Sequence, residues 1–225
     1  MFGDFIKRAG MRPGRYIGEG YFHDNAVPTV IETANTPIAL YGATTGVMVD
    51  LTYDVGSAGD ITAFADHSGT VAGAVLVTSA GHGLSTGDII TIRGTTNYNG
   101  IFQVTYVGTS SFYIIDTWVS DDGASNWEQP GTFVIPAGGA GFYRMAGFIC
   151  TNPAAACKLK FSTWVNVTKQ DKSETCRDYA INDEDTVTST CIVEVNEGDL
   201  IWVAVKSDGT ANITNVNGNF NLRKI

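Results

Sequence analysis

The chain has 225 residues, of which 44% are hydrophobic and 16% charged, and its formal net charge is −9. That length buries a real core as one large β-domain or two small ones, so neither staples nor a structural metal is required. The acidic balance excludes non-specific nucleic-acid binding, which needs a basic surface, and no stretch approaches the roughly 18 uninterrupted apolar residues of a membrane span, so a soluble chain without a membrane partner is expected.

Residues 1–19 read as an N-terminal arm. The start, Met1 to Arg8, lacks the apolar core and small-residue cleavage site of a secretory signal, which predicts a protein kept in a cytoplasm until released. Within residues 1–15, Lys7, Arg8, Arg12 and Arg15 against Asp4 give +3 and leave −12 for the remainder. Two readings stay open. One is a solvated, frayed terminus; the other is a basic peptide with Phe2, Phe5 and Ile6 as apolar anchors, docking on an acidic partner surface.

Residues 20–57 supply short runs rich in Val, Ile, Thr and Tyr at 27–31, 38–41 and 46–53, broken by Pro37 and Gly42. Such runs bounded by turn residues read as strands. Helical periodicity is confined to the first dozen residues, and 26 glycines make long helices costly. The fold class is all-β.

A composition break at 56–60 opens a middle module, predicted over 58–130, and Asp121 to Asn126 with Pro130-Gly131 closes it. Its centre is Gly81-His82-Gly83-Leu84-Ser85-Thr86-Gly87-Asp88, leading into Ile89-Ile90-Thr91-Ile92, and then Asn97-Tyr98-Asn99-Gly100. This is the pattern of a tight turn, a strand, a glycine turn and another strand. Strands near 59–64, 71–79, 88–93, 100–107 and 111–119 predict a small barrel or paired sheets. Most of the module's aromatics are expected in its core; Tyr98 and Trp127, placed in loops, are the candidates for contact with a neighbour or a host molecule.

Residues 131–225 resume strands at 132–135, 142–151, 156–167, 186–195, 199–206 and 213–223. Leu159, Phe161, Thr163, Val165 and Val167 alternate and are expected on one face. The run from Leu200 through Trp202 and Val203 to Val205 is apolar on both faces, and so is buried on both, inside a sandwich or against another subunit.

No catalytic constellation stands out. His23, His67 and His82 lie far apart, and His82 is expected to pack in a turn and bond to backbone. The acidic groups Asp121-Asp122 and Asp183-Glu184-Asp185 lack the regular ligand spacing of a calcium loop and read as solvated. Cys150, Cys157, Cys176 and Cys191 lack the close paired spacing of a zinc site. They are expected as buried free thiols, with a Cys150–Cys157 or a Cys176–Cys191 bridge as the alternative for a protein working outside a cell. The patterns at Asn166 and Asn212 read as chance matches to a glycosylation site. No catalytic, metal or cofactor residue is assigned.

The module around Gly81-His82-Gly83-Leu84, Gly87-Asp88, Asn99-Gly100 and Phe112 resembles a small β-domain that recurs in tailed-bacteriophage structural and tail proteins. The flanking parts, at 20–26, 30–33, 35–37, 164–167 and 200–225, resemble jelly-roll domains of phage virion proteins, similar in architecture to trimeric tumour-necrosis-factor-like heads. The resemblance implies a jelly roll over 20–57 and 131–225 interrupted by the module at 58–130. It further implies a non-enzymatic, homotrimeric virion protein, a head decoration or short head fibre assembled in the host cytoplasm, without a cofactor. On that reading the arm contacts the major capsid protein or another virion protein, and Leu200, Trp202, Val203 and Val205 are the expected trimer interface. A tail protein that recognises a host surface glycan is the alternative, and a carbohydrate-active enzyme a third reading.

Overall fold

The computed structural model describes residues 16–23, 28–29, 34–40, 44–182, 184–210 and 212–225. Before the middle module the chain forms β1 (Ile17–His23), β2 (Pro28–Thr29), β3 (Ile38–Ala39), β4 (Thr44–Val49) and β5 (Thr52–Asp54). The module contributes β6 (Ala58–Ile61), β7 (Ala63–Asp66), β8 (Ala74–Thr78), β9 (Ile89–Arg93), β10 (Gly100–Gln103), β11 (Thr105–Gly108), β12 (Ser111–Ile115) and β13 (Ser125–Glu128). After it come β14 (Thr132–Val134), β15 (Gly141–Pro153), β16 (Cys157–Val165), β17 (Thr168–Lys169), β18 (Thr175–Tyr179), β19 (Asp185–Val195), β20 (Leu200–Ser207) and β21 (Ile213–Lys224). The fold is all-β. Because β1 begins at Ile17 and pairs with Arg223, residues 17–19 of the expected arm belong to the sheet.

Eight of these strands wind the sandwich. Numbered first to eighth as β1, β14, β15, β16, β18, β19, β20 and β21, they pair first with eighth, second with seventh, third with sixth and fourth with fifth. One sheet then runs β19-β15-β21-β1-β4 with β2 beside β21; the other runs β17-β16-β20-β14-β5 with β18 on β16 and β3 on β20. This nesting is the jelly-roll winding.

Alternation along the long strands fills the space between the sheets. From β15, Tyr143, Met145 and Ile149 point inward, from β19 Val187, Cys191, Val193 and Val195, and from β21 Phe220 and Leu222; they meet Leu159, Phe161, Ile201 and Val205 of the facing sheet. At Gly147 a Cβ would lie 2.2 Å from the Asn219 carbonyl oxygen and 2.9 Å from the Phe220 ring. Only glycine lets β15 and β21 close there. The alternation expected from Leu159 to Val165 is present, but the chain turns at Asn166, which adopts φ 50°, and Val167 is left exposed rather than on the inner face.

The middle module builds two further sheets, β10-β9-β13-β6 and β11-β12-β8-β7. No ladder closes them into the barrel that short, evenly spaced strands suggested. Instead β6 runs on through Thr62 into β7, and β10 through Val104 into β11, so the same two bent segments supply both edges of both sheets. Between the sheets lie Ile61, Phe64, Val75, Val77, Ile90, Ile92, Val104, Phe112 and Ile114. The predicted strand at 111–119 stops at Ile115, after which Asp116 N–H bonds to Gly73 C=O at 2.9 Å.

The chain enters and leaves this module side by side. Gln129 N–H donates to Ser57 C=O at 2.6 Å, and Ser57 Oγ donates to Gln129 Oε1 at 2.9 Å. Just outside that crossing β5 pairs with β14, Asp54 opposite Thr132. Gly56 has φ 78°, and a Cβ there would lie 2.2 Å from Gln129 O, so the two crossings approach too closely for any other residue.

Candidate interaction surfaces

The residues singled out from sequence fall into three groups. Phe2, Phe5, Ile6, Lys7, Arg8, Arg12 and Arg15 of the arm lie outside the described residues. Tyr98 and Trp127 are core residues, not contact residues: each is 1% exposed. Tyr98 stacks on Phe64 with ring centroids 4.7 Å apart, and its hydroxyl donates to Ser120 C=O at 2.9 Å while accepting from Val119 N–H at 3.0 Å. Trp127 lies within β13, in a strand rather than a loop, and its indole N–H donates to Ser79 Oγ at 2.9 Å. Each aromatic buries its ring and satisfies its polar end internally, which leaves nothing for a ligand.

The third group is the two-faced strand β20. Its inner face, Ile201, Val203 and Val205, packs in the sandwich core. Its outer face, Leu200, Trp202 and Ala204, meets Trp164 of β16 and is covered by Ile89 of β9 and Ile101 of β10 from the middle module. The Trp164 and Trp202 rings stack at 5.5 Å and 27°. Trp202 Nε1 donates to Asn166 C=O at 2.8 Å, and the Asn166 side-chain amide is engaged at both ends, donating to Asp199 at 2.8 Å and accepting from Leu200 N–H at 2.9 Å. The four sheets therefore stack in series, and the expected trimer interface at Trp202 and Val205 is corrected: this chain's own module and core occupy both sides of the strand.

The glycine-rich motif is equally structural. Gly81, Gly83 and Gly87 have φ of 62°, 68° and 102°, conformations that favour glycine. Between them His82 donates from Nε2 to Gly108 C=O at 2.8 Å and accepts at Nδ1 from Leu84 N–H at 3.0 Å, as a backbone-bonding turn histidine should. Asp88 accepts from Ser85 N–H at 2.8 Å, and Asn99 accepts from Thr95 N–H at 3.0 Å. The carboxylates at the far end close the 116–124 loop: Asp121 accepts from Phe64 and Gly123 N–H, both at 2.9 Å, and Asp122 from Thr96 and Asn97 N–H at 3.0 and 2.6 Å. The bond from Phe64, and then that from Gly123, hold the Asp121 carboxyl below the usual carboxylate range.

Among the described residues no group of three or more His, Cys, Asp or Glu is placed to hold a metal ion. All four cysteines are free thiols, and burial pushes the Cys150, Cys157 and Cys191 thiols up.

No family model and no curated protein matches the chain.

Among the described residues, apolar side chains face solvent on β11 at Tyr106 and Val107, singly at Val55, Val119, Ile181 and Ile225, and at two further surfaces. A groove of about 280 Å³ lies beside the corner between β10 and β11, lined by Ile101, Phe102, Ile115 and Val167 with Gln103 and Thr105. The larger surface is the outer face of the six-stranded sheet. There Phe142, Phe148 and Ile192 stand 51%, 42% and 61% exposed. On the side of β15 away from β19, β21 carries a row of outward asparagines, with Asn219 opposite Phe148 and Tyr21, and Asn221 opposite Ala146 and Glu19. The Asn219 amide donates to Glu19, and the Asn221 amide to Asn219. One rung further, Ile192, Arg144, Arg223, Ile17 and Val49 follow one another across the sheet.

Proposed function

We propose that this chain is a non-catalytic structural protein of a tailed-bacteriophage virion, a homotrimeric head decoration or short head fibre attached through its N-terminal segment. The observation that carries the reading is the pairing of a jelly-roll sandwich with an inserted module whose motif residues are spent on turns and backbone bonds. Those are the two parts on which the resemblance to phage virion proteins rests. A motif of glycines, a turn histidine and capping carboxylates marks a module by its fold, not by a reaction. The burial of Tyr98 and Trp127 takes two contact candidates from the glycan-binding alternative, which keeps its acidic loops at 121–122 and 183–185.

Electron microscopy of intact particles, labelled with an antibody against the folded module at residues 60–130, tests the proposal. Label scattered over heads is the expected outcome. Particles that carry no label would sink it, and label confined to the tail tip would replace decoration by host attachment.

A further inference from the structure

We infer that the outer face of the six-stranded sheet is the surface through which copies of this chain associate. The inference rests on the homo-oligomeric reading above and replaces the interface that the burial of β20 removed. Three observations converge on it.

The first is asymmetry between the two outer faces of the sandwich. The apolar half of one, around Trp164 and Trp202, is covered by the inserted module. The other presents Phe142, Phe148 and Ile192 of β15 and β19 to solvent, with half-buried Ala146 beside them and half-buried Tyr21, Ile17 and Val49 on the far side of β21. Large aromatic and branched side chains gathered on one sheet face are what association buries.

The second is charge. The chain carries −9, so most of its surface opposes contact with another copy. On this face the described charged side chains are Arg144 and Arg223 against Glu19 and Glu194, with Glu184 at its edge beside Cys150, so it is close to neutral where the whole chain is strongly acidic. Other polar groups on it include the amides of Asn217, Asn219 and Asn221, the hydroxyls of Thr186, Thr188, Thr190 and Tyr21, and the Cys150 thiol. Each of these both donates and accepts, so a different, neutral patch of the next copy in a threefold ring can satisfy them without a dedicated acidic or basic partner. That neutrality favours a second copy as the occupant over a charged ligand.

The third is area. Five strands side by side, and the length of β15 from Phe142 to Cys150, span roughly 25 Å by 27 Å at ordinary sheet spacings, or about 700 Å². A standard interface takes about 800 Å² from each partner. The face is of the size that one specific contact needs.

The test is the mass of the full chain by light scattering during size-exclusion chromatography, for the wild type and for Phe148→Lys with Ile192→Lys. The expected result is a wild-type multimer and a variant running as a single 24.0 kDa chain with an unchanged far-ultraviolet circular dichroism spectrum. Ile115→Lys, exposed on the inserted module, should leave the multimer intact. A wild-type multimer that both variants retain overturns the inference while leaving the homo-oligomeric reading standing. A wild-type monomer overturns that reading and the inference with it. If the double lysine variant does not fold, Phe148→Asn with Ile192→Thr reads the same face. The milder pair should raise the concentration at which the multimer dissociates at least tenfold, and an unshifted dissociation overturns the inference.

Discussion

His82 shows how much a single side chain can hold in a glycine-rich turn. It links Gly108 C=O to Leu84 N–H across the module while only 5% exposed. Replacing it with alanine leaves a buried donor and a buried acceptor unmatched, which costs about 2 kcal/mol or more. His82→Ala should lower the urea midpoint of the full chain accordingly; a shift worth under about 0.5 kcal/mol, the level of an ordinary surface change, would mean that water replaces both bonds. Asp121 acts by charge. Its folded pKa lies below the unfolded value, so its contribution is present above about pH 4 and is lost as pH falls through the folded value. The stability gap between wild type and Asp121→Asn should therefore be widest at pH 7 and narrower at pH 3. An equal gap at both would show that the carboxylate's charge contributes nothing.

At the scale of elements, the notable contact is between two strands that are each apolar on both faces. β20 sends Ile201, Val203 and Val205 one way and Leu200, Trp202 and Ala204 the other. β9 sends Ile90 and Ile92 into the module core and Ile89 toward Trp202. Removing the Trp202 ring should cost about 3–5 kcal/mol, and Ile89→Ala about 2–5. Because both changes empty one contact, the double variant should fall short of the sum by 0.5–3 kcal/mol. Strict additivity in chemical denaturation would place the two side chains in separate clusters. The double-sided pattern of β20 was plain in the sequence, as were the turn duty of His82 and the strand at 88–93. What the pattern lacked was a way to say which two-sided strand covers which, because residues 89 and 202 meet only through the winding of the whole chain. Tyr98 and Trp127 were misplaced for a related reason. A loop position does not dictate exposure: the 116–124 loop folds over Tyr98, and β13 carries Trp127 inward.

At the scale of the whole molecule, the jelly roll's own pairing spans the insertion point. Replacing residues 58–128 with a short turn keeps Asp54 opposite Thr132, so the sandwich should still form, but with Trp164, Trp202 and Leu200 uncovered. An exposed patch of that kind drives self-association. The deletion is expected to aggregate, and the same deletion with Trp164→Thr, Leu200→Thr and Trp202→Thr to stay in solution with a β-type circular dichroism spectrum. Aggregation of both by sedimentation would mean that the module is needed for folding and not only as a cover.

The side-by-side crossing at Ser57 and Gln129 has a mechanical meaning as well. Tension running along the backbone from β5 to β14 need not travel through the intervening module, because the rungs joining Thr52, Tyr53 and Asp54 to Val134, Phe133 and Thr132 carry it directly across. The module hangs beside the load path like a weight on a closed loop. A pull that separates Thr52 from Val134 must unzip those three rungs in turn before the inserted strands feel any force.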